Sequence, residues 1–477
     1  MTGYIFGVMI FDRNDRERMH MTQAEKQKMM TEAPIPRLVT RMAVPTIISM
    51  LVTAFYNMAD TFFVGKIESN SATAAVGVAF PLMAIIQAVG FFFGHGSGNA
   101  ISRSLGAKDT GAAEELASCG FFSAFGAGCM ILLLGEIFLE PLAYALGSTK
   151  TILPYAREYL SIILIGAPWM TAALVLNNQM RFQGNAAYAM VGITSGAVFN
   201  VILDPLMIFT LDMGIAGAAW ATIISQLVSF VVLLIGIRWA GCVRLKIRLI
   251  CCLPRQIHEI FRGGFPSLCR QGLASVATIC LNRAAGPYGD AAIAAMSVVS
   301  RITGFANSAI IGYGQGFQPV CGFNFGAGNR ERVQEAFRFS VKVVTVILLI
   351  VSAVGLITAQ PLVGLFRKGD MEVIQVGTLA LRLQCATLPL AGWIIMNNML
   401  FQTCRQTVPA SILAMARQGL FFLPFILILP RICGLLGVQL AQPAGDIASF
   451  VMATVIYKAR FGRLLAECEN NRAKNDE

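Results

Sequence analysis

Gly94-His95-Gly96-Ser97-Gly98-Asn99-Ala100-Ile101-Ser102-Arg103-Ser104-Leu105-Gly106-Ala107 returns downstream as Gly314-Gln315-Gly316-Phe317-Gln318-Pro319-Val320-Cys321-Gly322-Phe323-Asn324-Phe325-Gly326-Ala327. Gly94 and Gly314 lie 220 residues apart, and so do Gly106 and Gly326. Pro45 and Pro266, Asn177-Asn178 and Asn397-Asn398, Phe182-Gln183 and Phe401-Gln402, Gly214 and Gly434, and Gly217 and Gly437 keep nearly the same step. The chain is one unit written twice. The copies differ at costly places: Asp60 and Asp204 of the first half face Leu281 or Asn282 and Leu423 of the second.

The repeated unit is a membrane unit. Of the 477 residues 56% are hydrophobic and 13% charged, with a mean hydropathy of +0.66, whereas soluble domains are about a quarter charged. A span needs about 20 largely apolar residues. Runs of that kind fall at 38–64, 72–101, 116–139, 153–180, 186–211 and 214–239, and again at 258–283, 290–317, 337–360, 372–402, 408–430 and 434–457. The expected fold is an all-α integral membrane protein of twelve transmembrane helices in two six-helix lobes.

The net charge of +11 reports orientation rather than nucleic acid. Even-numbered loops and the C-terminal tail hold Arg103, Lys108, Arg181, Arg238, Arg244, Lys246, Arg248, Arg255, Arg262, Arg330, Arg332, Arg338, Arg405 and the tail's Lys458 to Lys474 set. Odd-numbered loops hold only Lys66, Lys150, Arg157, Arg283, Arg367, Lys368 and Arg431. The positive-inside rule then places both termini in the cytoplasm. The apolar start Tyr4 to Phe11 lacks a preceding basic region and does not read as a signal peptide; Met1, Met19 and Met21 are all candidate starts. The twelve cysteines, with Cys251-Cys252 the closest pair, show neither a zinc spacing nor a disulfide framework.

An even number of spans per copy sets both copies the same way up, related by a pseudo-twofold along the membrane normal. The expected division is a cytoplasmic arm 1–36, an N-lobe 37–240, a basic linker 241–257, a C-lobe 258–458 and a cytoplasmic tail 459–477. Small residues such as Gly94 with Gly98 and Gly312 with Gly316 fit close helix packing. Gly94-His95-Gly96 lacks the strand and third glycine of a phosphate loop. Pro45, Pro205, Pro266 and Pro424 fall inside spans, where each removes a donor and invites a kink or a hinge.

A carboxylate inside a span costs roughly 2.5–3.5 kcal/mol on insertion scales, so it needs a compensating role. Asp60 ends an apolar stretch, and Asp204 lies mid-span in Phe199-Asn200-Val201-Ile202-Leu203-Asp204-Pro205. Asn200 and Asp204, four apart, share a helical face. Their hard oxygens suit Na⁺ or a shared proton. The competing reading has Asp60 as a helix-end cap and Asp204 as a structural partner of Asn200 or Thr222. In the second half Arg270, Arg301, Arg417 and Asp446 are expected as buried charges. Arg270-Gln271 and Arg417-Gln418 repeat one pair, and Asp446 is expected to pair with Arg417 or Arg270, either lining a cavity or fixing packing. His95 is expected to be a hydrogen-bonding interface residue.

With those residues in view, Pro34 to Val39, Ala43-Val44-Pro45, Asn57 to Gly65, the two Gly-Ala turns and Asn200 to Pro205 resemble a multidrug and toxic compound extrusion (MATE) transporter. Phe265 to Gln271 and Ala441 to Asp446 resemble its DinF-like and MepA-like branch. The resemblance implies a multi-pass protein of the bacterial plasma membrane, a monomer, which exports cationic or amphipathic drugs by antiport with Na⁺ or H⁺. It implies no enzyme activity, no cofactor beyond the coupling ion and no nucleic-acid partner; lipid is the surrounding solvent. It also implies an ion-coupling site at Asp60, Asn200 and Asp204, with Thr222 beside them, the first three holding Na⁺ if sodium drives export. The alternative within the superfamily is a lipid-linked oligosaccharide flippase. A C-lobe Na⁺ site is not expected, because span ten offers no acid between Val373 and Phe401.

Overall fold

A computed structural model describes residues 22–66, 70–246, 254–366 and 370–476. Its described residues build twelve long helices: α1 (Ile35–Val64), α2 (Asn70–Gly106), α3 (Thr110–Ile137), α4 (Leu153–Phe182), α5 (Ala186–Pro205, continued by a π turn Leu206–Thr210), α6 (Gly214–Trp239), α7 (Pro254–Ala285), α8 (Asp290–Gly326), α9 (Arg330–Phe366), α10 (Met371–Thr403), α11 (Thr407–Met415, a π turn Ala416–Leu420, then Phe422–Cys433) and α12 (Leu435–Asp476). Helices are the natural solution because each satisfies its own backbone in lipid. Ten are long and apolar enough to cross a membrane. The other two, α7 and α12, have the length but lose apolarity to polar and charged residues within the span, α7 to Glu259, Arg262, Arg270 and Gln271 and α12 to Gln439, Gln442 and Asp446.

The sequence repeat appears as a reciprocal contact. A Cβ on Gly106 would lie 2.1 Å from the Phe323 carbonyl oxygen, and one on Gly326 would lie 2.0 Å from that of Arg103. Arg103 and Phe323 are themselves repeat partners, so α2 and α8 cross each other on the pseudo-twofold. The flanking contacts exchange likewise, α1 packing on α8 and α7 on α2. Gly316 sits against Ala43 of α1, and Gly264 of α7 against Phe92 of α2. Inside each lobe an asparagine ties the fourth helix to the fifth: Asn177 Nδ2 donates to the Ala189 carbonyl at 2.8 Å and Asn398 Nδ2 to that of Ala410 at 2.6 Å. Gly214 and Gly434 repeat because both turns take positive φ, +52° and +59°, which glycine adopts without steric cost.

These close approaches lie at the end of the bundle where α1 begins and α12 ends. There Glu259 of α7 pairs with Arg103 at 3.2 Å and with Arg405, and Arg103 donates to the Thr403 carbonyl at 2.8 Å. Toward the other end the lobes part: on α8 every residue from Ile302 to Ala309 is partly exposed, whereas Gly312 to Gly326 are buried.

Several expectations change. A helix Gln23–Glu32, started by a Thr22 and Glu25 capping box, spans part of the arm; Gln23 and Lys26 reach the Ala240 and Gly241 carbonyls of the N-lobe. Met30 and Ala33 receive Asn324 and Arg332 of the C-lobe. From 459 the chain continues α12 and packs on the end of α8 through Cys468 and Asn471. Pro45 and Pro266 lie inside unbroken helices, while Pro205 and Pro424 stand beside the π turns. Cys119 is disulfide-bonded, although the cysteine spacing shows no disulfide framework. Tyr4 to Phe11, the three candidate starts, Arg248, Cys251-Cys252, Arg367 and Lys368 also lie outside them.

Candidate functional site

In the N-lobe, α1, α5 and α6 pack side by side, with α4 behind α6. Asp204 is fully buried and Asn200 nearly so. Asn200 Nδ2 donates to Asp204 Oδ1 at 3.1 Å, the same-face geometry expected from their spacing. Asp60 sits one turn before the end of α1, close enough to Asp204 for the carboxylates to feel each other's charge. Tyr159 of α4 lies beside Thr222 and within reach of both acids, as does Tyr56, one turn before Asp60.

Four oxygens here are buried without a hydrogen-bond partner in the protein: Asp60 Oδ1, Asn200 Oδ1, Asp204 Oδ2 and Thr222 Oγ1. Each orphan typically costs about 1–3 kcal/mol, more when charged. All are hard acceptors, the donor set that Na⁺ prefers; two carboxylates side by side can equally share a proton. No set of three or more His, Cys, Asp and Glu residues able to hold a metal occurs among the described residues.

The C-lobe residues also come together. Arg270, Gln271, Asn307, Asn398, Arg417 and Gln418 line a cavity of ≈ 160 Å³ with Ile311, Ile394 and Leu413 among its apolar walls. The π turn of α11 carries Arg417, which gives Nε to Asp446 Oδ1 at 2.8 Å and Nη1 to Asn307 Oδ1 at 2.9 Å. Gln442 donates to the same Asp446 oxygen at 2.9 Å. Asp446 therefore pairs with Arg417, not Arg270. Arg301 is exposed, correcting its place among the buried charges.

Sequence reading assigned Arg181 to a cytoplasmic loop. It lies in the last turn of α4 at 2% exposure, donating to Gln315 Oε1 across the lobes at 2.7 Å and to Asn178. His95 is an interface residue as expected, its Nδ1 3.1 Å from Ser267 Oγ and its ring stacked on Phe91. Tyr56 and Tyr159 were missed. The four-residue step from Tyr56 to Asp60 could have flagged the first; nothing local marks the second.

The MatE family model matches twice, over residues 45–206 and 266–428, once per half. The chain is 27% identical over 408 residues to the multidrug export protein MepA of Staphylococcus aureus strain NCTC 8325, covering 85% of this chain and 90% of the relative. It is 26% identical over 397 residues to MepA of Staphylococcus saprophyticus, covering 83% and 87%. Among solved structures, a MOP superfamily transporter from Pyrococcus furiosus superposes with a TM-score of 0.85 at 26% identity, over 91% of this chain and 98% of that one. An outward-facing multidrug resistance MATE family transporter gives 0.84 at 26% identity, over the same shares.

Proposed function

The chain belongs to the MatE family, whose members are membrane transporters and not enzymes, and on that premise we propose that it is a multidrug exporter driven by antiport. Its cargo is a cationic or otherwise amphipathic drug, and its driving ion, Na⁺ or H⁺, binds at Asp60, Asn200, Asp204 and Thr222. The four orphaned oxygens carry this reading. A protein that leaves four hard acceptors unpaired in one buried place stabilises whatever cation or proton arrives there, and Asp60 and Asp204 together favour positive charge strongly.

Coupling follows from position. Asp60 is on α1, whose first half packs against α8 of the other lobe; binding that draws Asp60 toward α5 changes the geometry of a helix shared by the interface. In this reading the protein is a monomer of the bacterial plasma membrane with both termini cytoplasmic, and the closed end of the bundle is the cytoplasmic one. One charge moved across 100 mV supplies about 2.3 kcal/mol, enough for about a fiftyfold gradient.

The test is dye efflux from vesicles in which Na⁺ and pH gradients are imposed separately. Wild-type protein extrudes ethidium with one of them, and Asp204→Asn inserts normally and extrudes none. Extrusion by the variant at the wild-type rate overturns the assignment.

A further inference from the structure

The C-lobe cavity holds two guanidinium groups on different terms. Arg417 is cancelled: Nε and Nη2 face Asp446 at 2.8 and 3.4 Å, and Nη1 meets Asn307. Arg270 is not. Among the described residues its sole recorded hydrogen bond is one of 3.5 Å from Nη1 to Asn398 Oδ1, and it forms no ion pair there. Asn398 already gives its amide to the Ala410 carbonyl, and Asp446 is occupied by Arg417 and Gln442. A guanidinium has five N–H donors in a planar fork, so most of Arg270's recognition capacity is unused.

A second cation sharpens the imbalance. Arg181 is close enough to Arg270 to feel its charge, and its own partners Gln315, Asn178 and His95 bring no negative charge. Arg181 is buried and Arg270 half-buried, and like charges set together where water is partly excluded are costly unless a counter-charge arrives. Among the described residues the protein supplies none here.

We propose that the C-lobe cavity is a subsite for the acidic group of an amphiphile, a carboxylate, sulfonate or phosphate, recognised by the fork of Arg270 with Gln271, Asn398 and Gln418 around it. Size agrees: ≈ 160 Å³ is below the roughly 300–1,000 Å³ of pockets that enclose whole drug-sized ligands. It fits the polar end of a molecule whose apolar body lies along the half-exposed face of α8 from Ile302 to Ala309. The consequence for cargo, that acidic and zwitterionic amphiphiles are accepted beside cationic ones, rests on the export reading; the site itself does not.

The experiment is equilibrium binding to the purified full-length protein in discs of zwitterionic lipid, read by fluorescence polarisation with rhodamine B and its ethyl ester. The two dyes share a ring system and differ in the free carboxylate. The acid binds the wild type about tenfold more tightly than the ester, as a charge-assisted bidentate pair implies. Arg270→Gln abolishes the difference by weakening acid binding, and Arg270→Lys restores part of it, a point charge without the fork. Equal affinities in the wild type, or a preference that survives Arg270→Gln, overturn the proposal; the wild-type comparison stands whether or not the variants fold. Repeating the titration in discs containing phosphatidylglycerol separates the sources: an acid affinity that drops only when Arg270 is present identifies a lipid headgroup as occupant, and an unchanged one identifies the soluble acid. Loss of dye discrimination sinks this inference alone, whereas wild-type vesicles that extrude ethidium under neither gradient sink the export reading alone.

Discussion

Asn200 gives its amide to one oxygen of Asp204 at 3.1 Å, and the other Asp204 oxygen, equally buried, receives nothing. The bond holds the carboxylate in place on α5 while leaving it chemically open. Together with Asp60 and Thr222 this makes a cluster that is oriented but unsatisfied, the reverse of what a purely structural polar network provides.

Thr222→Val tests that difference. Removing an unpaired buried hydroxyl while keeping the side chain's shape leaves stability unchanged or raises it by up to about 1–3 kcal/mol. Ion-coupled efflux falls in the same variant. A scaffold role predicts the opposite pairing, lower stability with coupling intact, so thermal unfolding and vesicle efflux of one protein sample decide between them.

Gly326→Ala and Gly304→Ala, on the same helix α8, should differ sharply. The first places a methyl 2.0 Å from the Arg103 carbonyl oxygen of the other lobe, and the second meets nothing within 4 Å. Gly304→Ala therefore stabilises by about 0.5–1 kcal/mol through helix propensity, and Gly326→Ala destabilises the closed interface or prevents its assembly. Melting temperatures of the two purified variants measure this.

Arg417→Met leaves Asp446 buried without its cation, a change expected to cost about 3–5 kcal/mol. The double variant Arg417→Met with Asp446→Leu removes both charges and recovers most of that loss. A double-mutant cycle on thermal stability checks the recovery, and additive losses would show that the pair is not coupled.

Burial holds the Lys26 ammonium below the ordinary lysine range, with the Cys242 thiol acting against that more weakly. The docked arm thus binds fewer protons than the released arm between the lowered value and the ordinary one, so docking strengthens as pH rises through that window. Lys26→Gln can still donate to the Ala240 and Gly241 carbonyls and loses the pH dependence. Amide exchange across 23–32, corrected for intrinsic rates, should show slower exchange with rising pH in the wild type alone.

Much of the architecture was legible before any coordinate. The repeat of Gly94 to Ala107, the twelve apolar runs and the paired glycines at 214 and 434 all reflect requirements local to a helix or a turn, which leave periodic or positional marks in sequence. Asn200 and Asp204 were legible for the same reason, being one turn apart on one helix. Arg181 was misread because its neighbours in sequence are those of a helix end, while its neighbours in space belong to α8. Tyr159 left no mark because Thr222 and Asp60 reach it from other helices.

The sequence by itself determined that the chain is a duplicated helical membrane protein and that Asp60 and Asp204 have no acidic counterparts at the matching positions of the second copy. Backbone hydrogen bonding in lipid and the insertion cost of charge act residue by residue, so composition and spacing record them. Only the tertiary structure decided which charges cancel: that Asp446 serves Arg417, that Arg270 is left without a counter-ion, and that four oxygens from α1, α5 and α6 stay unpaired in one lobe. Electrostatic compensation depends on distance through space, and residues far apart in the chain acquire that distance only when the helices pack.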